Sequence, residues 1–87
     1  MKIKKGFVVR QVGEQYVVAP VGEMGKTFRG VITFNESGNF LWNFFSNERT
    51  EDEAVAALCQ FYEVGESIAR EDVQQVMRFI EKQGFTE

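Results

Sequence analysis

The hydrophobic period of this 87-residue chain changes once, at Asn35, and no other feature limits the fold as tightly. Before Asn35, apolar and polar residues alternate, the two-residue period of a half-buried strand. After it, apolar residues recur every three or four positions, the period of a helix with one covered face. "FVVRQV" and "QYVVAPV" are β-rich runs joined at Gly13-Glu14, a pair short enough for a tight hairpin. Pro20 stands near the end of the second run, where a missing N–H is tolerated at an edge. "GEMGK" (Gly22 to Lys26) reads as a loop and "TFRGVITF" as a third strand. In that strand Phe28, Ile32 and Phe34 share one face, and Arg29, Val31 and Thr33 the other. The predicted strands span about residues 6–13, 14–21 and 27–34, and their short connections make an antiparallel meander.

Asn35 is a good N-cap for a first helix over about residues 36–45, with Leu41, Trp42 and Phe45 on its apolar face. Thr50 and Glu53 form a capping box that opens a second helix, about 51–62. Its stripe is Ala54, Val55, Leu58, Phe61 and Tyr62. A third helix over about 66–83 ends at Gly84, where a C′ glycine belongs. The order predicts an α+β fold in a single domain, residues 1–87, with a three-stranded antiparallel sheet followed by three α-helices. With 44% hydrophobic and 14% aromatic residues, the chain is too apolar for a disordered segment.

Little in the sequence points to catalysis. There is no His, which removes the commonest general base and metal ligand. Cys59 lies in the second helix without a His partner and reads as a structural thiol. "GEMGKT" is not a phosphate loop: Pro20 stands where the motif needs its first glycine, and a strand is expected after Thr27. The acids of "ERTEDE" read as a helix first turn, where they complement the dipole. Trp42 reads as a core anchor. The expectation is a non-enzyme with no catalytic residue, metal or cofactor. A net charge of −3, with no basic run longer than "KIKK", argues against nucleic acid as a partner. No apolar run approaches the ~18 residues of a membrane span. No apolar segment follows "MKIKK", and a single Cys permits no internal disulfide, so a cytoplasmic location is expected.

Two features remain. In a three-stranded meander each outer strand leaves a row of unpaired N–H and C=O groups. The third strand carries few devices that blunt such an edge: no Pro, one charge at Arg29, and an apolar Val31-Ile32 centre. The third helix has an apolar stripe of Ala69, Val73, Val76 and Ile80, widened by Met77 on one flank and by Ile68 with Phe79 on the other. So wide an arc either is covered on two sides by the other helices or lines a groove. An open strand beside such a helix makes a slot for an extended peptide, with Met77 and Ile80 beside Val31 as pocket candidates. The same open edge pairing with itself would give a homodimer.

"ITFNESGNFLWNFF", "TEDEAVAALCQFYEV" and "AREDVQQVMRFIEKQGF", in that order and spacing, resemble the PqqD family from Phe7 to Phe85. The resemblance implies a winged-helix-like domain that recognises the leader of a ribosomally made precursor peptide. A partner enzyme, of radical SAM or other type, then modifies the peptide. In the family the leader adds a strand beside the third strand, in a cleft lined by the third helix. Carried onto this chain, Arg29, Val31, Ile32 and Thr33 would flank the peptide, and Arg70, Val73, Gln74, Met77 and Ile80 would line the cleft. Winged-helix likeness also raises a transcription regulator as an alternative. The third helix lacks a basic face for that role, since Arg70, Arg78 and Lys82 are opposed by Glu66, Glu71, Asp72 and Glu81.

Overall fold

Gly13 takes φ +64°, and with Glu14 it turns β1 (Phe7–Val12) back on β2 (Gln15–Pro20). A positive φ at the first central residue is what a two-residue hairpin matching the strand twist requires. The computed structural model describes all 87 residues. Its sheet has the order β1-β2-β3, antiparallel throughout, with Val9 opposite Val18 and Val18 opposite Ile32.

The chain between β2 and β3 differs from the expectation twice. Where "GEMGK" reads as a loop, Met24–Thr27 form a one-turn helix, α1. The third strand pairs only over Ile32–Phe34, β3, not over residues 27–34. Pro20 and Gly30 explain the shortening. The β2–β3 register would place Gly30 opposite Pro20, which has no N–H to offer. Gly30 also takes φ +89°, outside the strand region.

α2 (Glu36–Phe44) starts on Asn35, whose side chain accepts from the Gly38 N–H at 2.8 Å. α3 (Glu51–Tyr62) starts on the Thr50–Glu53 capping box, with both reciprocal bonds formed. α4 (Glu66–Gln83) ends on Gly84 at φ +76°. The helices cover the face of the sheet that carries Val18, Ile32 and Phe34. The core between them is led by Phe45, Leu41, Leu58, Ile80, Val18 and Val73. The opposite face of the sheet stays open, so Val8, Val12 and Val31 are exposed.

The two chain ends meet through a bridge between Ile3 and Thr86. The Lys4 N–H donates to the Phe85 carbonyl at 2.7 Å, and the Glu87 N–H to the Lys2 carbonyl at 2.8 Å. This seats Phe85 against Phe28 and Phe7, with ring centroids 4.7 and 5.0 Å away. Trp42 lies edge-on to Phe7 at 5.3 Å. Edge-to-face contacts of this kind add about 0.5–1.5 kcal/mol each beyond area burial. No helix is long and apolar enough to cross a membrane.

Candidate functional site

One hydrogen bond fixes which way the β3 backbone faces. The Val21 N–H donates to the Gly6 carbonyl at 2.8 Å, so Gly6 and Val21 are a hydrogen-bonded pair. In an antiparallel ladder such pairs alternate. Val17 and Ala19 therefore bond to β1, while Tyr16 and Val18 turn their backbone groups to Phe34 and Ile32. Thr33 and Val31 are left facing outward. Neither makes a backbone bond elsewhere in the molecule. Two residues thus present two N–H and two C=O groups on an uncovered edge.

Beside this edge lies an open groove of about 600 Å³. Its aromatic floor is Phe7, Phe28 and Phe85, and one wall is the β3 segment from Arg29 to Thr33. The other wall is Phe79 and Gln83 of α4. Phe79 meets Phe34 edge-on at 6.1 Å, which holds α4 against the sheet at this point. The groove thus combines an aromatic floor, an unpaired backbone and one charged lining residue, Arg29.

The structure sorts the nine site candidates into three groups. Arg29, Val31, Ile32 and Thr33 all line the groove. Val73 and Ile80 are 0% exposed and belong to the core, so no ligand touches them without repacking. Arg70, Gln74 and Met77 lie on the flank of α4 turned away from β3. The Arg70 guanidinium bonds Glu51 at 2.7 Å, Asp52 at 3.1 Å and Glu66 at 3.2 Å, and Gln74 donates to Glu51 at 3.2 Å. These carboxylates, Glu51 foremost, hold Arg70 above its ordinary range. Met77 opens onto a separate small pocket with Glu51 and Glu81. The helix wall of the β3 groove is therefore Phe79 and Gln83, in place of Met77 and Ile80. At 100° per residue Phe79 and Met77 stand about 160° apart. Ile68 and Phe79 were visible in the sequence as one flank of the wide arc; which flank faces β3 depends on how α4 docks.

A second pocket adjoins the far end of β3, between Asn35 and Asp72. Tyr62 lines it, and burial, followed by the charge of Glu36, raises the pKa of its phenol above the ordinary value.

Fold and groove together define the class: a small, winged-helix-like α+β domain whose edge strand faces a helix across a groove floored by aromatic rings. Residues 9–85 match the family described as "Coenzyme PQQ synthesis protein D (PqqD)", and the chain belongs to that family. Among solved structures it is similar to "TbiB1 in Complex with the TbiA(beta) Leader Peptide". That match has a TM-score of 0.72 at 18% identity, and covers 100% of this chain and 95% of the other. At this identity the likeness speaks for the fold. No curated protein sequence matches the chain.

Proposed function

We propose that this protein is a recognition module for the leader of a ribosomally synthesised precursor peptide, which it binds by adding a strand to β3. The observation that carries the reading is the unpaired backbone of Val31 and Thr33 beside the aromatic groove. Family membership and the fold shared with a leader-peptide complex support it. Arg29, Val31, Ile32 and Thr33 contact the peptide, with Phe79 and Gln83 as the opposite wall. The bound precursor is presented to a modifying enzyme, of which a radical SAM protein is one type, and this chain itself performs no chemistry.

Magnitudes define what the groove must do. Four new ladder bonds at ~1 kcal/mol net contribute about 4 kcal/mol. Association costs an estimated ~4–15 kcal/mol. The ladder alone therefore holds no peptide. Two or three buried apolar side chains at ~1.5–3 kcal/mol each tip the balance, and the aromatic floor is where they go.

The test is an NMR titration of the full chain with a synthetic leader from a short reading frame encoded beside its gene. Shifts concentrated on Val31 to Asn35 and on the Asp72–Phe79–Gln83 flank of α4 are expected. A peptide that binds but leaves those resonances unmoved refutes the assignment.

A further inference from the structure

Where β3 gives way to α2, a second pocket of about 340 Å³ is lined by residues that include Asn35, Glu36, Leu58, Tyr62, Val64 and Asp72. Its apolar walls are Val64 and the Tyr62 ring, over the buried Leu58. Both of its charged groups are carboxylates, Glu36 and Asp72, and no basic side chain lines it. Neither carboxylate enters any of the molecule's ion pairs. The Tyr62 hydroxyl oxygen is buried with no hydrogen-bond partner, a state that polar groups seldom keep. Apolar walls, two carboxylates outside every ion pair and an unpartnered hydroxyl suit one kind of occupant. A long cationic side chain lays its methylenes on apolar surface and brings its donors to carboxylate oxygens.

Position ties this pocket to the peptide groove. Asn35 directly follows β3. Asp72 and Phe79 lie on the same flank of α4, two turns apart, which is roughly 10 Å. That distance is about three residues of extended chain.

We propose, resting on the strand-addition reading above, that the Glu36–Asp72 pocket takes a lysine or arginine side chain of the bound peptide. An added antiparallel strand runs from the Asn35 end of β3 toward Val31, so the basic residue precedes the apolar residue seated in the aromatic groove. Only alternate side chains of that strand face α4, so the two residues are two or four positions apart. The pocket thereby sets both a charge and a register for the leader.

The experiment is a display selection of random twelve-residue peptides on the immobilised full chain. Parallel selections use the Glu36→Gln/Asp72→Asn double variant and Val31→Pro. Enriched peptides on the wild type should carry Lys or Arg two or four positions before a large apolar residue. On the double variant the basic residue should drop out while the apolar residue persists. A selected peptide should bind the double variant about five- to tenfold more weakly, and the difference should shrink in high salt. Enrichment without a basic residue, or a basic preference that survives loss of both carboxylates, overturns the proposal and leaves strand addition standing. No enrichment, or enrichment unaffected by Val31→Pro, overturns strand addition and this proposal with it.

Discussion

Gly38 shows how closely single residues are fitted around the groove. A methyl group there would stand 2.7 Å from Phe34 Cδ1 and 3.1 Å from its Cβ and Cγ. The Gly38→Ala change gains ~1 kcal/mol in helix propensity. Overpacking costs about 1–3 kcal/mol, and here the ring that must move is the one braced against Phe79. Gly38→Ala is expected to lower thermal stability by several degrees, opposite to the usual sign for such a change; a calorimetric scan checks it. The two flanks of α4 separate by the same kind of comparison. Phe79→Ala should weaken leader binding at least tenfold, whereas Met77→Ala should leave it within twofold, both read by titration calorimetry. Sequence periodicity could mark both flanks as apolar. It could not choose between them, because helix rotation is set by tertiary contacts such as Phe34 against Phe79 and Arg70 against Glu51.

Among the elements, β3 is the one whose length could not be read from its own residues. "TFRGVITF" has the composition of an eight-residue strand, yet the pairing partner limits it, because Pro20 lies opposite Gly30. The alternation of its backbone makes a sharp prediction. Val31→Pro removes an N–H that β2 does not use, so folding should persist while leader binding falls at least tenfold. Ile32→Pro removes an N–H that β2 does use, so it should destabilise the fold itself. Circular dichroism melts beside binding curves separate the two. Helices α2, α3 and α4 were more legible, since local chemistry opens or closes them: Asn35, the Thr50–Glu53 box and Gly84 all cap as their types predict. The box also titrates. The bond from the Thr50 backbone N–H is the main cause that holds the Glu53 carboxyl below its ordinary 4.5; desolvation opposes it, and the Thr50 side chain and the Arg49 charge add smaller lowering effects. Its stabilisation is therefore full above about pH 4.5 and is lost as pH falls through the lower folded value. Glu53→Gln keeps the bonding pattern without the charge, so its stability deficit at pH 7 should narrow as the solution is acidified toward pH 3. Denaturant midpoints across that range check it.

For the whole molecule, the switch of period at Asn35 announced the layering, and the family motifs announced the arrangement of strand and helix. The groove floor was less accessible to sequence reading. It is assembled from Phe7 in β1, Phe28 after α1 and Phe85 past α4, residues brought together when the chain ends pair at Ile3 and Thr86. No local pattern predicts that meeting. What the assembled molecule presents is one short strand, bonded on one side and open on the other, beside a trough floored by aromatic rings. Amide hydrogen exchange reads that claim residue by residue. In the free protein Ile32 and Phe34 amides should be protected and Val31 and Thr33 amides should exchange freely. Saturating leader peptide should protect Val31 and Thr33 as well. Protection of Val31 and Thr33 already in the free protein, or their continued free exchange in the saturated complex, would contradict strand addition at β3.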